Sequence, residues 1–245
     1  MEKVLDTYQK NLVISPSAAD MAGKMSYHAA FELFMDLAAE HAEHIGLGFA
    51  AMAEKNRFWL TVKTKILFYR RPAIEEAVTA CTWLEPPEKI RCKRNYAIQS
   101  KDEILAAGKT EWAVMDTALH TLVPIALVYP NTLKYDKPPA FTDRFARIQD
   151  TFASAEVVED YRVRSTDIDI GGHMNNAAYL RALFGSFSCD ELQTADIRCV
   201  DADFRKPAFE GDVLTLQRVK TDNVLLFRYA KGEENVFLAR IETAP

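Results

Sequence analysis

The chain has 245 residues, 49% hydrophobic and 27% charged, so it can bury a sizeable core and fits one large or two small domains. Its 30 Lys and Arg residues against 35 Asp and Glu give a net charge of −5, which argues against a general nucleic-acid-binding protein. The four cysteines lack metal-ligand spacing, and the most apolar run, residues 113–129, contains Asp116, His120 and Pro124. We therefore expect a cytoplasmic protein with no metal, disulfide or membrane span.

The first long periodic segment predicts a helix buried on one face. It runs from Ser26 to Ile45 with apolar residues at three- and four-residue steps, and Ser26 is placed to cap it and Gly46 to end it. Four strand-like runs follow, rich in β-branched and aromatic residues: Phe58 to Tyr69, Val78 to Leu84, Lys89 to Gln99 and Ile104 to Met115.

The second half predicts the same order of elements. A helix over about 176–192 precedes strands around 195–205, 213–220, 224–229 and 236–242. The stretch between the halves holds three prolines and shows no clear period, which is typical of a surface linker. We therefore divide the chain into an N-terminal unit (1–130), a linker (131–155) and a C-terminal unit (156–245).

Two internal matches indicate that one fold occurs twice. Residues 20–29 align without a gap on 169–178, and residues 69–78 align on 204–213. The predicted fold class is α+β, with a long helix against a curled antiparallel sheet in each unit. Lys24 in the first copy corresponds to His173 in the second, so we expect one active site in each chain.

The turn before the second helix carries the candidate catalytic groups, Asp169 and His173. Its glycines could simply adopt positive φ, and Asp169 could cap the turn. We favour catalysis for this pair, because the imidazole occurs only in this copy and near-neutral acid–base chemistry commonly uses histidine. For Asn175 and Asn176, capping the helix is at least as good an interpretation as contacting substrate at the helix N-terminus.

The same turn resembles the signature of hotdog-fold thioesterases, Asp-x-Asp-x-x-Gly-His-x-Asn-Asn-x-x-Tyr. The matching residues are Asp167, Asp169, Gly172, His173, Asn175, Asn176 and Tyr179. Signals in the first half are similar to the plant and bacterial fatty acyl-acyl carrier protein thioesterases: Trp59, Thr82-Trp83 and Glu111-Trp112-Ala-Val-Met-Asp116. With the tandem arrangement, the resemblance covers nearly the whole chain.

The resemblance implies a tandem (double) hotdog, each unit a long helix wrapped by a curved antiparallel sheet. The C-terminal unit would be catalytic, and the N-terminal unit would shape an acyl pocket whose expected lining is Phe34, Phe58 and Trp59. The implied reaction is hydrolysis of fatty acyl thioesters held on the phosphopantetheine arm of acyl carrier protein, without a cofactor. Acyl-coenzyme A hydrolysis and a non-catalytic acyl-thioester sensor are the alternatives.

The resemblance also bears on source and assembly. Plant members carry a plastid transit segment, whereas the first predicted unit starts near residue 1 here, so we expect a bacterial, cytoplasmic enzyme. The sequence leaves the oligomeric state open, and a homodimer is one option.

Two departures from the family pattern lie at the centre of the reaction. The family places an Asn two residues after the second Asp and a Glu on the following strand, where this chain has Gly171 and Pro207. Asp169 and His173 alone carry over. Asp169 would then activate a water or attack directly, His173 would orient it or the thioester, and backbone N–H groups from Gly172 to the helix start would hold the thioester oxygen.

A set of basic residues in the first half could face an acidic carrier protein. Their alternation with apolar residues is also typical of the wet face of a strand, which we favour: Lys63, Lys65, Arg70, Arg71, Lys89, Arg91, Lys93 and Arg94. His41 and His44 have no third ligand and are expected at the surface or the core edge.

Overall fold

The computed structural model describes residues 6–149 and 151–244. Its chain divides into two compact units, one of residues 1–62 and 69–143, the other of residues 63–68 and 144–245. None of the helices in the described ranges has the length and apolar character needed to cross a bilayer. The predicted boundaries at 130 and 156 remain a prediction.

Unit 1 contains one long helix and an antiparallel sheet. Its elements are β1 (Thr7–Val13), α1 (Tyr27–His44), α2 (Phe49–Ala53), the first part of β2 (Arg57–Phe68), β3 (Ala77–Leu84), β4 (Cys92–Ser100), β5 (Glu103–Asp116) and β6 (Thr121–Val123). The sheet order is β1-β3-β4-β5, and β6 pairs with β5. The sequence predicted α1 and the four long strands, but not β1, α2 or β6.

The apolar face of α1 packs on the middle of this sheet. Phe34 is fully buried and stacks on Tyr96 of β4 with ring centroids 4.7 Å apart. Gly108 of β5 lies directly under the Phe34 ring, which leaves no room for a Cβ atom there. The helix ends as expected, since Gly46 has φ +73°, the left-handed conformation that glycine adopts at little cost.

Unit 2 repeats the plan. Its elements are β7 (Glu156–Arg162), α3 (Asn176–Gly185), α4 (Cys189–Thr194), β8 (Ile197–Phe204), β9 (Val213–Lys220), β10 (Val224–Lys231) and β11 (Glu234–Thr243). Residues 63–67 of β2 pair with β8, and the order continues β8-β11-β10-β9-β7. Tyr179 of α3 stacks on Phe237 of β11 with centroids 5.2 Å apart.

The predicted second helix is in fact two helices. α3 stops at Gly185, and Ser188 begins α4 with a capping box in which its hydroxyl accepts from the Glu191 N–H and the Glu191 carboxylate accepts from the Ser188 N–H. The continuous apolar period across residues 176–192 hid this break, because a capping serine inside a periodic run looks like an exposed helical position.

The connecting segment is anchored. The described part of residues 131–155 has no helix or strand, as expected of a linker, yet it buries Leu133, Phe141, Ile148 and Phe152. In unit 1 the buried Lys109 ammonium donates to the Phe141 carbonyl, 2.8 Å away. In unit 2 the Asp201 carboxylate accepts from the Ala146 N–H at 2.9 Å. Buried polar groups of the sheets thus fix the backbone of this segment.

Candidate active site

The candidate catalytic residues lie in a closed turn between β7 and α3 of unit 2. The Asp169 N–H donates to the His173 carbonyl at 3.0 Å, and the Gly172 N–H donates to the Asp169 carbonyl at 2.9 Å. The Met174 N–H donates to the Ala208 carbonyl at 2.7 Å, which ties the turn to the loop after β8. These bonds fix the backbone around both candidate side chains.

The turn brings the Asp169 carboxylate and the His173 imidazole together at the surface. Oδ1 of Asp169 lies 3.6 Å from Nδ1 of His173, with side-chain exposures of 23% and 29%. The same oxygen accepts from the Gly171 N–H at 2.7 Å. The carboxylate is therefore held from one side while both groups stay accessible to water and to substrate.

Asn175 and Asn176 differ in their backbone environment. Asn175 is the N-cap of α3, because its side-chain oxygen accepts from the Ala177 N–H at 2.8 Å. The Asn175 N–H donates to the Asp167 carbonyl, whereas no acceptor among the described residues takes the N–H of Asn176, the first residue of α3. The Asn176 N–H is thus available to an oxygen atom at the helix start.

Asp167, the first acid of the motif, is structural. It is 7% exposed and accepts from the Tyr161 hydroxyl and the Arg164 N–H, both at 2.8 Å. Burial and then the Asp167 hydrogen bond raise the pKa of Tyr161 to about 12, so this hydroxyl keeps its proton and its bond. We therefore assign Asp167 the role of holding the backbone before the turn through these two hydrogen bonds, and not the role of the catalytic base.

The corresponding turn of unit 1 has the same backbone but a different charge environment. The Asp20 N–H donates to the Lys24 carbonyl at 2.8 Å, and Oδ1 of Asp20 accepts from the Ala22 N–H at 3.0 Å. The Asp20 carboxylate also forms an ion pair with Arg71. The residue that corresponds to Arg71 in unit 2 is Lys206, whose ammonium lies 3.2 Å from Glu234 instead.

Asp169 therefore differs from Asp20 in the side chain that it faces. Among the described residues Asp169 forms no ion pair with a lysine or arginine, and its neighbour is the His173 imidazole. The Asp20 carboxylate is instead occupied by the Arg71 guanidinium. The sequence showed the exchange of Lys24 for His173 but not the change of cation at the second position.

The glycine and proline expectations need correction. Gly172 has φ +76°, matched by Gly23 at +66° in unit 1, but Gly171 has no positive φ. Pro207 is exposed and lies in the loop after β8, not on a strand. It precedes Ala208, whose carbonyl accepts from Met174, so position 207 still borders the turn.

The predicted acyl-pocket residues divide into two groups. Phe58 and Trp59 line a cavity of about 290 Å³ within unit 1, together with the end of α1, α2 and side chains of β4 and β5. The Trp59 Nε1–H donates to the Leu47 carbonyl at 3.0 Å. Phe34 does not line this cavity and belongs to the core beneath α1.

The basic residues of the first half are largely paired. Those in ion pairs include Lys63 with Asp203, Lys65 with Asp201, Arg70 with Glu76 and Glu103, Arg71 with Asp20, Arg91 with Glu111 and Lys93 with Glu88. These contacts support the interpretation as ordinary strand surface for the other members of the set, but Lys65 and Arg94 are buried, so the prediction of a wet face is wrong for these two. His41, expected at the surface or the core edge, is fully buried.

One cluster has the right atoms for a metal. Ligand atoms of Cys199, Asp201 and Glu242 lie within 4.8 Å of one another. Lys65 and the Ala146 N–H already occupy the two Asp201 oxygens, and Arg240 pairs with Glu242. Burial and then the Asp201 charge raise the pKa of the Cys199 thiol to about 12, which disfavours the thiolate that a metal requires. The cluster fits a buried ion-pair network better than a metal centre.

Comparison with solved structures shows the fold. An acyl-ACP thioesterase from Bacteroides thetaiotaomicron superposes with a TM-score of 0.84 at 21% identity, covering 100% of both chains. The 12:0-ACP thioesterase from Umbellularia californica gives a TM-score of 0.84 at 17% identity, covering 98% of this chain and 97% of that one. The predicted α+β tandem hotdog is confirmed.

Comparison with sequences shows the family. The oleoyl-acyl carrier protein thioesterase of Coriandrum sativum is 23% identical over 74% of this chain and 54% of its own length, so the chain spans about half of this relative. The profile of the acyl-ACP thioesterase N-terminal domain matches residues 5–143, and that of the acyl-ACP thioesterase C-terminal domain matches residues 151–243. The chain therefore belongs to the acyl-ACP thioesterase family.

Proposed function

We propose that this protein hydrolyses fatty acyl thioesters of acyl carrier protein, releasing a free fatty acid and the carrier thiol. Family membership supports the substrate class. The observation that carries the proposal is the Asp169 carboxylate, which lies 3.6 Å from His173 and, in the described chain, has no lysine or arginine partner. We also propose that the protein acts in the cytoplasm of a bacterium.

Asp169 and His173 would share the work of the reaction. Asp169 takes a proton from a water, whose oxygen attacks the thioester carbon; in the alternative, Asp169 attacks directly and water hydrolyses the resulting anhydride. The tetrahedral intermediate then breaks the C–S bond, and the proton goes to the departing thiolate. His173 orients the carboxylate or the thioester, and no metal or cofactor takes part.

The start of α3 would stabilise the charge that develops on the thioester oxygen. The Asn176 N–H has no acceptor in the described chain, and it lies at the positive end of the helix dipole. Neighbouring N–H groups are committed, since Asn175 donates to Asp167 and Ala177 donates to Asn175. The oxyanion role thus falls to backbone at Asn176, and the Asn175 side chain acts by fixing the helix start.

The test is thiol release from matched acyl-acyl carrier protein and acyl-coenzyme A substrates of the same chain length. Faster release from the carrier protein supports the proposal, and faster release from coenzyme A makes the protein an acyl-coenzyme A thioesterase. Release from neither, together with tight binding of either, would identify a non-catalytic sensor.

A further inference from the structure

The turn of unit 1 is joined to the loop after β2 by two backbone hydrogen bonds. The Met25 N–H donates to the Pro72 carbonyl at 2.8 Å. The Ile74 N–H donates to the Gly23 carbonyl, also at 2.8 Å, and the two bonds together form an antiparallel bridge. A Cβ atom built on Gly23 would lie 3.9 Å from the Ile74 side chain. The loop therefore covers the glycine of this turn.

Unit 2 forms only the first of these two bonds among its described residues. The Met174 N–H donates to the Ala208 carbonyl at 2.7 Å, but the Glu210 N–H, two residues further on, has no acceptor in the described chain. The Gly172 carbonyl has no donor there either. Apart from its chain neighbours, no described residue has an atom within 4 Å of a Cβ atom built on Gly172. The glycine of the candidate catalytic turn is therefore uncovered.

The loops themselves show that Glu210 takes the place of Ile74. Each loop ends in a four-residue turn, over residues 73–76 in unit 1 and 209–212 in unit 2. In both turns the fourth N–H donates to the first carbonyl, at 3.1 Å and 3.0 Å, and the third residue has positive φ, which fits a type II β-turn. Ile74 and Glu210 are the second residues of these turns, and the ungapped sequence alignment is one residue out of step here. The unused N–H and carbonyl of unit 2 thus correspond to a bonded pair in unit 1.

We propose that the Gly172 carbonyl and the Glu210 N–H bind the amide of the phosphopantetheine arm that lies nearest the thioester. The inference rests on the proposed function, since it takes the thioester to react at Asp169. A trans secondary amide carries one N–H and one carbonyl that point in opposite directions. It can therefore donate to Gly172 and accept from Glu210, which connects through the substrate two groups whose counterparts bond directly in unit 1.

The chemistry of the substrate singles out this amide. A fatty acyl chain has no hydrogen-bonding group and a thioester has no donor, so the first N–H beyond the sulfur belongs to the amide at the end of a short ethylene spacer. The Gly172 N–H donates to the Asp169 carbonyl at 2.9 Å, so both residues lie in one tight turn. A thioester beside the Asp169 carboxylate thus has its nearest amide within reach of Gly172. Both Gly172 and Glu210 are exposed, so water can serve them until substrate binds.

The first test removes the Glu210 N–H. Proline suits the second position of a type II turn, and the Asp212 carboxylate still accepts from the Phe209 N–H at 3.0 Å, so Glu210→Pro should keep the turn. Glu210→Ala is the matched control, because it loses the same carboxylate and keeps the N–H. With an acyl thioester of N-acetylcysteamine, kcat/KM for Glu210→Pro should be about three- to tenfold below that for Glu210→Ala, the scale of one hydrogen bond.

A substrate without an amide separates binding from structure. With the same acyl group on a plain alkyl thiol, Glu210→Pro and Glu210→Ala should have equal kcat/KM. Equal values with the N-acetylcysteamine thioester as well would overturn the role of Glu210. A deficit of the same size with both substrates would show a general structural effect and would overturn it too.

The second test removes the N–H of the substrate. In the thioester of 2-acetoxyethanethiol an ester oxygen replaces the amide N–H, while the carbonyl that accepts from Glu210 is kept. Wild type should hydrolyse the amide compound with a kcat/KM about three- to tenfold higher, after each value is divided by the rate of hydroxide hydrolysis of the same compound. Equal corrected values would refute the role of the Gly172 carbonyl.

Two further arms keep the outcome clear. If Glu210→Pro does not fold, the comparison of amide and ester on wild type still decides whether the arm is bound at this turn. If wild type hydrolyses no thioester, the proposed function fails, and calorimetry with non-hydrolysable thioethers in the amide and ester forms decides the inference. Tighter binding of the amide form supports it, and equal binding or no binding overturns it.

Discussion

Replacing the two equivalent aspartates should separate catalysis from stability. Asp169 and Asp20 occupy the same position in the same backbone turn, and each accepts from the N–H two residues later, at 2.7 Å and 3.0 Å. Asp169→Asn and Asp20→Asn are therefore chemically identical changes in matched surroundings. They differ in what the lost charge was doing, since Asp20 pairs with Arg71 and Asp169 faces His173.

The expected magnitudes follow from these partners. In Asp169→Asn the new carboxamide keeps an oxygen for the Gly171 N–H, so stability should change by no more than about 0.5 kcal/mol, while the loss of a positioned base should lower turnover about a hundredfold or more. In Asp20→Asn, the Arg71 side chain keeps its contacts with the Met25 carbonyl and the Tyr27 ring but loses its ion pair with Asp20. This side chain is only 11% exposed, so water compensates little for the lost carboxylate. That should cost about 2 kcal/mol, or roughly 4–8 °C in Tm for a chain of this size.

Thiol release and thermal unfolding of both variants, measured in one buffer, test this crossed pattern. Asp169→Asn should be inactive and as stable as wild type, and Asp20→Asn should be less stable and active below its Tm. Wild-type turnover in Asp169→Asn would remove Asp169 from the mechanism. A loss of activity in folded Asp20→Asn would show that the first turn also takes part in the reaction.

Three further predictions use the same comparison between the two turns or an ion pair of unit 1. His173→Ala should reduce kcat severely, because the imidazole lies beside Asp169. Lys24→Ala should reduce it only mildly, because the aspartate of that turn, Asp20, is already paired with Arg71. Equal losses of kcat in a thiol-release assay would contradict this prediction. Gly172→Ala should destabilise the turn by about 1 kcal/mol and lower activity, because φ is +76°, whereas Gly171→Ala should be tolerated as Ala22 is in unit 1; urea midpoints for the two variants decide the point. Hydrogen bonding to Arg70 lowers the pKa of Glu76 from 4.5 to about 2, so this pair stabilises the fold above pH 4.5 and the contribution is lost as the pH falls toward 2. Between pH 4.5 and pH 2, the free energy of unfolding of Arg70→Gln, measured by urea titration, should fall less than that of wild type. Identical falls would refute the stabilising role of the Arg70–Glu76 pair.

The sequence predicted the elements whose pattern is local. The period of α1 and the alternation in the long strands are set by which residues face the core, so their bounds fall within a few residues of the structure. β1 was missed because it is an edge strand whose side chains are mostly polar and only partly buried. The break between α3 and α4 was missed because Ser188 caps a new helix within an unbroken apolar period.

The sequence pattern did not predict which side chains from distant parts of the chain pair with each other. The motif located Asp169 and His173, because four residues separate them in one turn. Arg71 pairs with Asp20, whereas Lys206 pairs with Glu234. Both ion pairs join segments that are about 30 to 50 residues apart in the sequence, which a local pattern does not predict. The sequence likewise predicted Arg94 on the solvent-exposed face of a strand. In the structure it is buried and contacts His41.

The two turns show that backbone geometry alone does not make this site. Both carry the aspartate, the same internal hydrogen bonds and a glycine at positive φ, so duplication conserved the scaffold in each unit. What differs is the side chain placed against the carboxylate, which is the Arg71 guanidinium in unit 1 and the His173 imidazole in unit 2. Arg71 makes Asp20 a structural anchor, since the guanidinium joins the Asp20 carboxylate to the Met25 carbonyl. A gain of function in unit 1 would therefore require histidine at position 24 together with removal of the Arg71 charge. Histidine alone would leave Asp20 paired with Arg71, and removal of the Arg71 charge alone would leave Asp20 without a neighbouring imidazole.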